Sequence, residues 1–285
     1  MTADIDFLAN IEKIYVNKDA KRKYFSNVED LWLLIVSAPD NVVERFMFIE
    51  DTLFSELNQL TLQVHILPQY QRNVSKVIKC FLERYPKALI NLELHAESAK
   101  LIYEQLEELP SLPLHRIKII CTEFELPQLR LDMLFGIMAE KKIIAKNITI
   151  RDWSLFTDGT TPVSPLPLDT FRISSCTIET VDSLVVSLRK TAEQEPPKPK
   201  KKIVKRKKVE TSATEEEKPP VKKKVVKKVV KKKKVPFIKK LEIAGQCTLH
   251  GLQFLERKAH TELEKRLEAS IPEMTVDCSE IYYSW

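Results

Sequence analysis

Three groupings in this 285-residue chain contain side chains capable of chemistry, and each has a plainer explanation. Cys247, His250 and His260 are all metal-ligating types. Their spacing fits neither a zinc finger nor a ribbon, and packing or surface roles account for solitary Cys and His near helix starts. Glu104, Glu107 and Glu108 cluster on one predicted helix, where a solvated face explains them better than an acid/base pair. His65, His95 and His115 fall at or near the ends of separate predicted strands, and isolated imidazoles there rarely titrate for a purpose. The four glycines (Gly136, Gly159, Gly245, Gly251) form no loop able to cradle phosphates, and no serine sits in a nucleophile elbow. These residues predict a nonenzymatic chain with no catalytic residue, no metal ligand and no cofactor.

The strongest chemical signal is charge. The formal net charge is +6, but Pro196 to Val235 carries 18 Lys and Arg against 4 Glu, a net of +14, which leaves −8 for the remainder. Asymmetry of this size marks an interaction insert rather than a uniformly basic fold. Its first block holds Lys200, Lys201, Lys202, Lys205, Arg206, Lys207 and Lys208, an exposed cationic run that resembles a nuclear-localisation sequence. After the acidic break Glu215-Glu216-Glu217 comes a second block with Lys222, Lys223, Lys224, Lys227, Lys228, Lys231, Lys232, Lys233 and Lys234. Val221, Val225, Val226, Val229 and Val230 would share one side of a helix there, giving a basic amphipathic segment for nucleic acid or an anionic membrane surface. Valine and mutually repelling lysines disfavour that helix in isolation, so the insert is expected to be disordered when unbound. A nuclear import receptor, nucleic acid bound through residues 198–235, and a solvating linker without a partner are the three readings. No aromatic residue interleaves the lysines, which argues against a base-stacking single-strand reader.

The elements that would position any site follow from a recurring phrase: apolar, two polar, apolar, polar, apolar. Its seven copies are Leu57–Leu62, Leu89–Leu94, Leu114–Ile119, Ala145–Ile150, Leu168–Ile173, Ile238–Ile243 and Ile271–Val276. Between middle apolar residues the spacings are 32, 25, 31, 23, 70 and 33, and the lysine-rich stretch accounts for the long one. Such a period marks a stacked array of supersecondary units. Alternation within the phrase predicts a strand with one buried face. Apolar residues at helical spacing lie between copies, as in Val74, Val77, Ile78 and Phe81, or Val181, Leu184, Val185 and Leu188. A strand, a covering helix and a parallel return strand form a βαβ unit, which cannot close its own apolar face and so must stack. The anchors give an adequate core without disulfides.

The phrase resembles the strand segment of leucine-rich repeats, most closely the ribonuclease-inhibitor type with full helices on the convex side. Most copies lack the asparagine that usually follows the strand in that family. Within the group, Ala145-Lys146-Asn147-Ile148-Thr149-Ile150, then Leu168-Asp169-Thr170-Phe171-Arg172-Ile173 with Ile178 and Val181-Asp182-Ser183-Leu184 behind it, resembles the FTH-type domain that follows the F-box in many nematode proteins. That resemblance covers roughly residues 57–280 and implies a substrate receptor of a ubiquitin ligase; residues 1–56 carry no clear F-box. The leucine-rich-repeat resemblance implies an α/β fold, a curved solenoid of βα units with parallel strands, an N-terminal helical cap and a disordered basic insert. It also implies that the polar strand positions Asn91, Glu93, Arg116, Lys118, Asn147, Thr149, Thr170, Arg172, Lys240 and Glu242 line a concave face that grips a protein partner. The expected activity is that of a protein–protein interaction adaptor.

The expected organisation is a helical cap over 1–56, a first array over 57–190, the insert over 191–236, and the last repeats over 237–285. Two cap helices are predicted at 4–16 and 27–37, the second opened by the capping-box pattern Ser26-Asn27-Val28-Glu29. Three prolines between 158 and 167 forbid a helix and leave a stiff loop, in which Thr161-Pro162 and Ser164-Pro165 are candidate sites of proline-directed phosphorylation. Five widely spaced cysteines without a Cys-x-x-Cys predict reduced thiols. The acidic start lacks the layout of a secretory signal, and the longest apolar run, Leu31 to Val36, is too short to span a bilayer. A nuclear or cytoplasmic, non-secreted protein is expected.

Overall fold

The computed structural model describes residues 2–3, 29–35, 54–111, 113–160, 162, 167–193, 238–249, 256–271 and 274–282. Their strands, in chain order, are Thr2–Ala3 (β1), Asp30–Ile35 (β2), Gln59–His65 (β3), Leu89–Ala96 (β4), Pro113–Cys121 (β5), Gln128–Arg130 (β6), Ile144–Arg151 (β7), Ser154–Phe156 (β8), Leu168–Ser174 (β9), Thr177–Ile178 (β10), Ile238–Gln246 (β11), Thr248–Leu249 (β12) and Thr275–Tyr282 (β13). The helices are Gln71–Arg84 (α1), Ala99–Glu108 (α2), Leu131–Glu140 (α3), Val181–Glu193 (α4) and Glu256–Ser270 (α5).

Nine strands form one sheet in the order β1-β2-β3-β4-β5-β7-β9-β11-β13, and every pairing is parallel. The chain is therefore a mixed α/β protein built on a large parallel sheet. Alternation explains the strands: in β3 every second residue, Leu60, Leu62 and Val64, is fully buried, and the residues between them are half-exposed. The helices pack on the buried face. Val74, Ile78 and Phe81 of α1, Ile102 and Leu106 of α2, Leu134 and Phe135 of α3, Leu184 and Leu188 of α4, and Leu263 and Leu267 of α5 join the strand residues in one core.

Register lines the buried side chains into rows. One runs Leu33, Leu62, Leu92, Ile117, Ile148, Phe171, Leu241 and Val276 from β2 to β13. Twenty of the twenty-one expected apolar anchors are buried; Leu89, 50% exposed, is not. Two copies of the phrase are displaced by two residues. Leu62, not Leu60, faces Leu92, and Val276, not Met274, faces Leu241. In the seventh copy Ile271 closes α5, its amide donating to the Leu267 carbonyl at 2.8 Å, so the strand begins only at Thr275.

The expected helix at 27–37 is wrong for Asp30–Ile35, which forms β2 and pairs along its whole length with β3. An apolar run of this length reads equally as a buried helix or a buried strand, and the open ladder of β3 decides it. Of the rest of the predicted cap, Thr2–Ala3 is a short strand paired with β2, and the helix at 4–16 and nearly all else lie outside the described residues, as do nearly all of the lysine-rich insert and the two Thr/Ser-Pro sites. Helix α3 was not expected from the sequence. Its stripe Leu131, Leu134, Phe135 and Met138 is blurred by Met133 and Ile137 on the other side.

A second sheet, β12-β10-β8-β6, is also parallel and follows the carboxyl ends of the main strands. The chain leaves β7 and β9 through a tight turn with a left-handed residue, Asp152 at φ 62° and Ser175 at 52°, and Gly245, the last residue but one of β11, is left-handed at 76°. The side chain after or near each turn is buried: Trp153, Cys176 and Cys247. The Cys176 thiol donates to the Ser174 and Ile150 carbonyls at 3.2 and 3.6 Å, and Cys247 donates to the Ala244 carbonyl at 3.2 Å. All five cysteines are free and buried.

Candidate functional site

The face turned away from the helices is made by the alternate strand residues, and register draws them into two further rows. One is Trp32, Thr61, Asn91, Arg116, Asn147, Thr170, Lys240 and Thr275; the other is Leu34, Gln63, Glu93, Lys118, Thr149, Arg172, Glu242 and Asp277. All ten residues expected on a partner-facing surface lie in these rows. The structure adds six that the sequence reading missed: Trp32 (43% exposed) and Leu34 on β2, Thr61 and Gln63 on β3, and Thr275 and Asp277 on β13. The signal for Trp32 and Leu34 was the alternation of Leu31, Leu33 and Ile35, hidden by their reading as helix.

The rows are not equivalent in charge. From β9 to β13 the ions are mutually satisfied: Arg172 Nη1 lies 3.2 Å from Glu242 Oε2, and Lys240 Nζ lies 2.6 Å from Glu242 Oε1 and 3.2 Å from Asp277 Oδ2. Those two carboxylates hold the Lys240 ammonium above its ordinary value. On β4 and β5, Lys118 Nζ is 3.5 Å from Glu93 Oε2. Arg116 is exposed and next but one to Lys118 along β5, and its side chain makes no ion pair or hydrogen bond among the described residues. Its row neighbours are uncharged. Asn91 Nδ2 donates to Thr61 Oγ1 at 3.1 Å and Asn147 Nδ2 to the His115 carbonyl at 3.1 Å, whereas buried Asn91 Oδ1 has no partner among the described residues.

Two of the three histidines are not isolated. His65 and His95, paired across β3 and β4, stack with ring centroids 4.5 Å apart and planes 15° apart. Gln63 Nε2 stands 3.5 Å from His65 Nε2, and Glu93 Oε2 stands 3.9 Å from His95 Nε2. Burial, helped by the neighbouring His95, keeps the His65 imidazole below its ordinary value. The His95 ring, with Lys118 assisting and burial opposing, keeps the Glu93 carboxyl below its own.

The other candidates do not assemble. Glu104 pairs with Lys100 on the surface of α2 at 3.6 Å, while Glu108 accepts a hydrogen bond from Ser75 Oγ at 2.8 Å. Cys247 is buried beneath its turn; His250 and the His260 side chain lie outside the described residues. No group of three or more metal-ligating side chains occurs among the described residues. No helix among them is long and apolar enough to cross a membrane.

No family model and no solved structure matches this chain. A Caenorhabditis elegans protein named "Uncharacterized F-box protein ZK328.6" is 67% identical over 293 aligned positions, which cover all of this chain and 74% of that protein. Identity of this extent shows common descent, and the chain belongs to the same family as this nematode F-box protein.

Proposed function

We propose that this chain is a nonenzymatic adaptor of the ubiquitin-ligase-receptor kind, which grips a client protein on the helix-free face of its sheet. One observation carries the reading. All-parallel sheets normally have both faces covered, yet among the described residues eight strands in continuous register leave one face bare and largely polar. In stacked arrays such a face is the binding surface, so we read the fold as a leucine-rich-repeat-like solenoid curved around it. The relative's name as an F-box protein supports the ligase connection.

The test uses the tagged full chain expressed in nematode cells. A ligase subunit should co-purify, together with a client. The combined variant Arg116→Ala, Thr149→Trp, Arg172→Ala should lose the client and keep the ligase subunit. A client set unchanged by that variant, or no ligase subunit at all, refutes the proposal.

A second reading rests on the +14 charge of Pro196 to Val235. We assign that insert to nuclear import or polyanion binding, which would give the protein a nuclear pool. If six to ten lysines contact phosphates, affinity for nucleic acid falls roughly 10³- to 10⁵-fold between 50 and 200 mM salt. Deleting 191–236 should abolish that binding and the nuclear signal; retention of both defeats the assignment.

A further inference from the structure

We propose that the segment seated on the open face is acidic, with one carboxylate held by Arg116 and a second by Lys118. This deepens the adaptor reading and rests on it. Charge complementarity selects that segment. Between β3 and β9 the open face carries the cations Arg116, Lys118, Arg151 and Arg172, and its only strand carboxylate is Glu93. Glu93 is engaged by His95 and Lys118, Arg172 is satisfied from β11 by Glu242, and Arg151 by Asp152 at 3.0 Å. The Arg116 guanidinium alone in this group has neither an ion pair nor a hydrogen bond among the described residues. It also sits in the middle of the sheet, three pairings in from β2 along β3, β4 and β5, with neutral Asn91 and Asn147 beside it. An exposed guanidinium there offers a planar fork of donors matched to a carboxylate.

Spacing narrows the ligand further. Arg116 and Lys118 stand two residues apart on one strand, about 6.6 Å by the parallel rise. Acids at alternate residues of an extended peptide have the same separation, so a segment with acid-x-acid lying along β5 meets both cations. Lys118 is shared with Glu93 at 3.5 Å, and the arriving acid joins that pair. A nucleic acid fits less well. Its continuous phosphates would have to pass Glu93, Glu242 and Asp277, which interrupt the row that holds Lys118 and Arg172.

The experiment measures fluorescence anisotropy of short labelled peptides with the full chain at about 0.1 M salt. The probes alternate serine with glutamate, glutamine or lysine, and a single-stranded oligonucleotide is the fourth. The glutamate peptide should bind most tightly, and Arg116→Glu should weaken it roughly ten- to hundred-fold, the loss expected for a charge-assisted pair. The lysine-rich insert is intact in this variant, so binding there would be insensitive to the change. Unchanged melting of Arg116→Glu shows that the fold is intact, since the Arg116 side chain has no partner to lose among the described residues. The idea falls if the glutamine or lysine peptide binds as well as the glutamate one, or if Arg116→Glu leaves glutamate binding unaltered. It also falls if only the oligonucleotide depends on Arg116. Thr149→Trp separates this failure from that of the adaptor reading. If it blocks a neutral or basic peptide, the face binds partners of another charge; if it blocks nothing, the adaptor reading falls too.

Discussion

Gly245 offers a stringent test of how the strands end. Its φ of 76° is left-handed, and a Cβ added there would lie 2.5 Å from Ser175 Oγ and 3.1 Å from the Ser175 amide nitrogen. The left-handed backbone costs a non-glycine residue about 1–2 kcal/mol. Displacing the Ser175 hydroxyl from a packed turn adds about 1–2 kcal/mol, at the lower end of overpacking penalties. Gly245→Ala should therefore destabilise the chain by about 2–4 kcal/mol. Ser175 is itself left-handed at 52°, so Ser175→Gly relieves strain and gives back a similar amount in chain entropy, leaving it nearly neutral. In the Ser175→Gly background the hydroxyl is gone, and Gly245→Ala should cost only about 1–2 kcal/mol. Urea unfolding followed by tryptophan fluorescence measures all four proteins. Equal penalties in the two backgrounds, or a Gly245→Ala protein as stable as the parent, would refute the close packing of these consecutive turns.

Three further outcomes follow from the core and the open face. Trp153 is fully buried with an indole N–H that has no partner among the described residues, so Trp153→Ala should cost about 3–5 kcal/mol in urea midpoint analysis. Trp153→Phe should cost less than half as much, because it removes the orphaned donor along with part of the volume. The thiols should resist alkylation at about pH 8 in the native chain and react fully in denaturant, because burial lifts Cys176 and Cys278 to about 12 and raises Cys121 and Cys247 as well. A fast native thiol would contradict that burial. Finally, His65 sits below its ordinary value in the fold, so the unfolded chain binds more protons and stability rises with pH. The His65 contribution is present above about pH 6.5 and lost as the pH falls through its folded value. His65→Gln should shrink the loss of urea midpoint between about pH 7.5 and about pH 5.5; an identical slope would exclude this role.

Much of the strand layer was legible because alternation is a local signal: β4, β5, β7 and β9 begin within one residue of their phrases. β2 was not, because Ser26 to Glu29 spells a helix start and Leu31 to Val36 is apolar throughout. Its identity depends on hydrogen bonds to β3, a partner 29 residues away between Leu33 and Leu62. The His65–His95 stack was invisible for the same reason. Each ring is solitary in sequence, and only the register of β3 on β4 brings them to 4.5 Å.

The errors in neighbour pairing at β3 and β13, strands that carry none of the ten expected surface residues, left the division into buried and open faces intact. Side chains on a strand alternate with a period of two, so a slip of one residue exchanges the faces and a slip of two does not. Both errors were slips of two. They shifted which residues are neighbours while leaving every side chain on its proper face. Corrected register then grades the open face along the sheet. It is apolar at β2 with Trp32 and Leu34, neutral at β3 with Thr61 and Gln63, and charged on β4, β5, β9, β11 and β13, with neutral Asn147 and Thr149 on β7 between them. A partner that used the whole face would therefore place apolar side chains over β2 and acids over β5. This polarity fixes the direction in which the partner lies, so Trp32→Ala and Arg116→Ala should each weaken one client, and their penalties should add because the residues stand three strands apart. Loss of different clients from the two variants would break the face into separate sites and end the single-partner argument.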